Sequence, residues 1–300
     1  RFWQELFGNG IVRTSGDFGI TGELPSHPEL LDYLAVDFRE NGWDVKRFFR
    51  QLVTSAAYRQ SALATPEKLE KDPANRLLSR GPRFRMDAEM IRDHALAASG
   101  LLVEKIGGPS VKPYQPDGVW EAVAMRESNT HTYRRDSGEN LYRRSLYTFW
   151  KRSAPPASME VLNAPNRETC VVRRERTNTP LQALVTLNDP QFVEAARRLA
   201  ERTFAETEKV KTLTGDPLAN QRLEAMAMRI LSRQLTTREA ALLNGELARL
   251  LSHYKANPKE ARELVQVGES KPAGDVPAEE LAAWTLIANT LFNLDESLNK

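Results

Sequence analysis

Arginines and aromatics alternate between Tyr133 and Arg176, first in YRRDSGENLYRRSLYTFWKR and then, past a proline break, in NRETCVVRRER, with Asn178 at the far edge. Nine Arg and one Lys stand there against five acids, in a chain whose net charge is only +2. Guanidinium groups fork onto carboxylates and phosphates and stack on rings, so this composition suits an anion or an acidic partner. The residues that would carry it are Arg143, Arg144, Lys151, Arg152, Arg173, Arg174 and Arg176, with Tyr142, Tyr147 and Trp150 as stacking platforms. The same side chains have an internal use, paired with acids across helix junctions and holding no ligand. In Arg143-Arg144 and Arg173-Arg174 the two neighbours cannot point the same way on one element, so at least one of each pair is expected to serve structure.

Other reactive groups are sparse. The histidines are His27, His94, His131 and His253, and no two have metal-ligand spacing such as H-x-x-x-H. His131 lies in a polar run, RESNTHTYRRD, and is the histidine most open to a functional role, whereas His27 opens a helix. Asp17, Glu23, Asp117, Glu121 and Asp136 lie near glycine- and proline-rich loops. Two of these acids at a fixed separation would suit glycoside hydrolysis, and as single solvated acids they would not. Asp17-Phe18-Gly19 and Arg135-Asp136 echo kinase tripeptides in reversed order and without a glycine-rich loop and lysine. Gly16, Gly19 and Gly22 match neither a phosphate loop nor a dinucleotide turn, and no G-x-S-x-G elbow occurs. The single cysteine, Cys170, excludes an internal disulfide framework and a cysteine-rich zinc site, and its neighbours Val171 and Val172 suggest a buried, inert thiol.

The elements that must position these groups read as helices. Ser26-His27-Pro28-Glu29 has the form of a capping box ahead of Leu30, Leu31, Leu34 and Phe38 at helical spacing. Asp44 is the expected cap of a helix burying Phe48, Phe49, Leu52, Val53 and Ala56, and a third begins near Asp87. Thr179-Pro180, Asp189-Pro190, Thr236-Thr237-Arg238-Glu239, Pro258 and Pro277 mark further starts, with another amphipathic run from about 217 to 233. LYRRSLYTFW is ambiguous between strand and loop. The expected fold is therefore mostly α, an irregular multi-helix domain with long Gly/Pro-rich loops at 105–118 and 153–166 and little or no β. Val267 to Pro277 reads as a flexible surface linker. Because the arginine segment spans 153–166, one domain over residues 1–300 is expected, with that loop as the place for any sub-boundary. A mean hydropathy of −0.51 and the absence of a long apolar run exclude a membrane-spanning helix. The near-neutral charge and lack of a recognisable motif argue against nucleic acid as a partner.

The motifs GIVRTSGDFG, LPSHPELLDYLA, DPANRLLSR, GGPSVKPYQPDGVW, LYRRSLYTFWKR and RRERTNTPLQALVTLNDP occur in this order, and with them the chain resembles a planctomycete-specific domain of unknown function. That domain lies C-terminal to planctomycete-type cytochrome c domains. The resemblance implies an exported protein, periplasmic or extracellular, of which this chain is an excised piece. A haem c domain and a second helical domain would precede it, and haem is expected there, with no cofactor in this chain. Carbohydrate-binding-like modules are sometimes inserted, so a carbohydrate partner is possible in that architecture. No activity is established for the domain, and no catalytic residue carries over. Where such domains typically read Phe-Asp-Ala-Pro, this chain has Leu162-Asn163-Ala164-Pro165, which weakens a catalytic reading of that loop. Two function classes follow from the resemblance. One is an accessory domain docking the upstream domains or a carbohydrate-derived substrate through the arginine-aromatic surface. The other is a catalytic domain of a polysaccharide-degrading or oxidising enzyme, with Tyr114, Trp120 and Trp150 stacking on sugar rings.

Overall fold

Local capping chemistry starts many of the helices. In the computed structural model, which describes residues 1–207 and 215–299, the Asp44 carboxylate accepts the amide of Arg47 at 2.9 Å. Thr179 accepts that of Gln182 at 3.4 Å, and Thr236 and Glu239 complete a reciprocal capping box. Ser26 departs from expectation. Pro28 occupies the first helical position, which makes His27 the cap residue, and the Ser26 hydroxyl turns instead to the Ile11 carbonyl and His27 Nδ1. The protein is mostly α: the described residues form fourteen α-helices, two 3₁₀ turns and three isolated β-bridges, with no sheet among them. LYRRSLYTFW is neither strand nor helix, since both 3₁₀ turns and two of the bridges involve it.

The contacts divide the chain into two compact units. The first comprises Arg1–Arg85 and Cys170–Glu175, with the chain end from Asn299, and the second comprises Met86–Thr169 and Arg176–Leu298. The loop at 153–166 lies within the second. Helices α1 (Phe2–Phe7), α2 (Pro28–Glu40), α3 (Val45–Thr54), α4 (Ala56–Arg59) and α5 (Pro66–Lys71) belong to the first unit. Its core is small and aromatic: Leu6, Phe7, Ile11, Leu34, Phe48 and Leu52 are buried, and Phe38 packs on Phe48 with ring centroids 5.0 Å apart.

The second unit holds α6 (Ala88–Ser99), α7 (Ala157–Val161), α8 (Pro180–Asn188), α9 (Pro190–Thr207), α10 (Asp216–Ile230), α11 (Thr237–Ala256), α12 (Pro258–Val265), α13 (Ala278–Phe292) and α14 (Asp295–Leu298). Helices α9 and α13 form its centre, with α6 and α10 against α9 and with α11 and α12 against α13. Ala195, Ala196 and Ala200 on α9, and Ala282, Ala283 and Ala288 on α13, are all buried. Side chains this small let two helix backbones approach closely. Larger groups fill the remaining space, with Phe204 edge-on to Trp284 at 5.9 Å and the Arg222 guanidinium over Phe204 at 3.8 Å. None of the described helices is long and apolar enough to cross a membrane.

The loop after α12 is not the free linker that its composition suggests. Ser270 donates from its backbone amide (2.7 Å) and its hydroxyl (2.6 Å) to the carboxylate of Glu194, which α9 carries fully buried. Tyr114 and Tyr142 donate to the same carboxylate, each at 2.8 Å. Arg197, one turn further along, donates to the Ser270 carbonyl and to Glu201 Oε1. A buried carboxylate demands donors, and the loop supplies them. Burial, reinforced by Glu194, raises the phenol of Tyr142 to about 12 and moves that of Tyr114 higher still.

Candidate functional site

The arginines of 133–176 divide by burial. Arg143 is only 2% exposed and spends its guanidinium on backbone carbonyls of the glycine- and proline-rich loop: Pro109 O at 3.0 Å, Lys105 O at 3.0 Å and Gly107 O at 2.5 Å. Its planar group also lies over the Tyr147 ring, 3.9 Å from the centroid. Parallel bridges from Val103 to Arg143 and from Val111 to Thr148 bind the same two segments. Behind them stands Arg92 of α6, which sequence reasoning passed over because it sits inside an ordinary helix. It donates to Leu141 O at 2.6 Å, Arg143 O at 2.9 Å and Gln191 Oε1 at 2.7 Å. Burial pulls this guanidinium down to about 10, against the raising effect of Asp93 and Asp189.

The remaining candidates are dispersed. Arg144 is exposed and lies 3.7 Å from Asp93, and Arg152 is exposed and lies 3.9 Å from Glu168. Lys151 donates to Thr130 O at 2.8 Å with its ammonium 4.7 Å from the Trp120 ring centroid. The half-buried Trp150 donates to Asn166 O and carries the Arg167 guanidinium over its ring at 4.6 Å. His131 sits in a turn, half-buried, with Nδ1 3.4 Å from the Thr132 hydroxyl. Arg176 lies 3.9 Å from Asp87, and Asn178 is exposed. Arg173 and Arg174 belong to the first unit, where Arg173 donates to Asn9 at 3.2 Å and Arg174 is engaged within the chain. Among the described residues, therefore, Arg143, Tyr142 and Tyr147 work in holding loops, while Arg144 and Arg152 face solvent.

Tyr114 and Trp120 are buried, at 8% and 2% exposure, which removes two of the three rings suggested as a sugar platform. Three of the five loop acids have local work: Asp17 accepts from Gly19 and Thr21, Glu23 pairs with Arg76 at 3.0 Å, and Asp136 accepts the Lys112 amide at 2.8 Å. Asn163, with φ of 64°, accepts from Thr177 at 2.6 Å and from Gln182 at 2.7 Å, a loop-fastening role. Cys170 is exposed, contrary to expectation. The segment 170–175 is irregular, and its valines stay 41% and 43% exposed, so no core forms around the thiol. No group of three or more His, Cys, Asp or Glu placed to hold a metal occurs among the described residues.

Two cavities lie in the first unit. The larger, about 670 Å³, is lined mainly by apolar groups, including Ile11, Val12, Phe18, Leu24, Leu31 and Val172. The turn that forms its rim is fixed from within, with Thr14 donating to Asp17 O at 2.8 Å and accepting the Glu23 amide at 3.0 Å. This geometry leaves Phe18, Ile20 and Leu24 almost fully exposed. The smaller cavity, about 200 Å³, is lined by Arg13, Arg76, Arg80, Arg83 and His27 beside the rings of Trp3 and Phe7. These rings are stacked, with centroids 3.9 Å apart and planes at 12°. Sequence reading missed this cleft, although its residues lie largely within DPANRLLSR and the sequence just after it. The signal was arginine recurring through a Pro/Asn/Gly turn.

Fold and site together define an irregular helical module with an apolar cavity and a small arginine-lined cleft in its first unit. The chain belongs to the family described as PSD1, protein of unknown function (DUF1553), whose model matches residues 1–247. No curated protein and no solved structure gives a significant match.

Proposed function

We propose that this chain is an accessory interaction domain of a larger exported haem protein, and that its first unit is the docking part. The observation that carries this reading is where apolar surface lies exposed. The first unit is under a third of the chain, yet it holds more than half of the large hydrophobic side chains exposed among the described residues. Concentrated apolar exposure marks a surface that another surface covers. Phe18 and Leu24 line one apolar cavity with Leu31 and Val172, so this exposure is gathered at a mouth.

In the architecture that the resemblance implies, the covering surface belongs to the upstream cytochrome c-type or helical domain of the same protein. Haem c would be held upstream, and the assembly would work in the periplasm or outside the cell. A carbohydrate-derived substrate would then meet the assembly as a whole. Arg144 and Arg152, which face solvent on the second unit, would add a separate polar contact to the upstream domains.

The test is titration of this chain with the separately expressed upstream domains at low salt. Phe18→Asp with Leu24→Asp, both at solvent-facing positions, is expected to weaken association at least about tenfold, the scale of one lost hot spot. The double reversal Arg144→Glu with Arg152→Glu is expected to weaken it less and in a salt-dependent way. Unchanged affinity in the apolar variant would remove the reading.

A further inference from the structure

We infer that the small cleft of the first unit is a binding site for a phosphate or sulfate group. It is a different cavity from the apolar one proposed for docking, although Trp3 and Gly10 line both.

The lining is one-sided in charge. Arg13, Arg76, Arg80, Arg83 and His27 reach the cleft, and no Asp or Glu is among the described residues that line it. Arg80 spends its guanidinium on Asp72 O at 2.8 Å and Pro73 O at 2.7 Å, and Arg76 keeps Glu23 at 3.0 Å. Arg13 is different. It is half-buried, and it makes no hydrogen bond or ion pair with any described residue. A partly desolvated guanidinium retains five donors and asks for an acceptor. No described residue supplies that acceptor, and an anion in the cleft would.

The cleft is also prepared in advance. The buried Asp72 carboxylate accepts the amides of Arg76 at 2.7 Å and Leu77 at 3.0 Å, and Asn75 donates to Arg80 O at 2.9 Å. Gln60 donates to Leu78 O at 2.8 Å, which holds Leu78 at a φ of 56°. Unfavourable backbone angles persist where the surroundings over-determine them. A turn so fixed presents its cations without further ordering when an anion arrives.

Size and direction narrow the class. A volume of about 200 Å³ is below that of sites for drug-sized molecules, so the cleft takes an ion or the charged end of something larger. The basic side chains that line it come from Arg13, from the 76–83 turn and from His27, three separate stretches of chain. A tetrahedral oxyanion accepts from several sides, whereas a carboxylate is satisfied by one fork. The stacked Trp3 and Phe7 at the wall would meet any flat group attached to that oxyanion.

Calorimetric titration of the whole chain with sodium phosphate and with sulfate, at constant ionic strength set by chloride, tests the site. Saturable one-to-one binding is expected, weakened at least about tenfold in Arg13→Gln, which removes no intramolecular bond. Arg76→Gln is the second variant, and Arg249→Gln, at an exposed position of α11, is the charge control with unchanged binding. Tighter binding of phenyl phosphate than of phosphate would assign the group to a larger ligand, and equal binding would assign it to the free ion; either supports the site. No saturable binding, acetate binding as well as phosphate, or Arg13→Gln binding like the unaltered chain while remaining folded by circular dichroism would each overturn it.

Discussion

At the scale of single residues, neighbours in sequence do opposite things. Arg143 and Arg144 share a dipeptide, but Arg143 points inward to three carbonyls while the Arg144 side chain is 56% exposed beside Asp93. Hydrogen bonds from a charged donor contribute more than neutral ones, and carbonyls stripped of their donor stay partly buried. Arg143→Ala is therefore expected to destabilise the fold by about 3 kcal/mol. For Arg144→Ala the expected change is within about 0.5 kcal/mol, because exposed pairs are screened and entropically costly. Urea unfolding of the two variants side by side reads the difference, and equal midpoints would contradict the assignment of Arg143 as a fastener of the 105–109 loop. Charge reversal at Arg143 is accordingly a poor probe of partner binding, since it would break the loop before it reached a partner.

At the scale of elements, the helices were legible and the loops were not. Asp44, Thr179 and Thr236 act within three residues of themselves, so their capping roles follow from local sequence. The fastening of loops depends on partners far away in the chain: Arg143 reaches back to Lys105, and Ser270 reaches Glu194 across 76 positions. No local pattern in VGESKPAGDVP announces a buried glutamate as its anchor, and so composition reads it as a linker. For the same reason the cleft around Arg13 escaped notice, since its arginines become neighbours only after the 72–81 turn has closed. The strap makes a sharp prediction at Gly268. Its φ is +95°, and an added Cβ would fall 2.7 Å from Glu194 Cβ, so Gly268→Ala strains the backbone and pushes at the buried carboxylate. A loss of at least about 2 kcal/mol is expected, or roughly 4–8 °C in the melting temperature of a unit this size. Gly274→Ala in the same loop has nothing within 4 Å and should leave the melting temperature unchanged. If both variants melt together, the loop is not held by Glu194.

For the molecule as a whole, the decisive quantity is how unevenly burial is distributed. The core of the first unit rests on Leu6, Phe7, Ile11, Leu34, Phe48 and Leu52, while that of the second is a far larger cluster centred on α9 and α13. Helix α13 buries residues on every side, including the consecutive Leu281, Ala282, Ala283 and Trp284, whereas α2 buries only Leu34 fully. Local opening costs little where few apolar contacts are broken and approaches the global unfolding free energy where many are. Native-state hydrogen exchange should therefore show amides of α9 and α13 exchanging slowest, with α2 exchanging faster by a factor of at least about 100, corresponding to some 3 kcal/mol of opening free energy. A surface that awaits a partner belongs at the low-stability end, because covering it then adds the burial that the isolated unit lacks. Addition of the upstream domains should consequently slow exchange in α2 and in the turn carrying Phe18 and Leu24, while leaving α13 as it was. Protection of α2 equal to that of α13 in the isolated chain would mean that the first unit needs no cover, and the docking role would lose its thermodynamic basis.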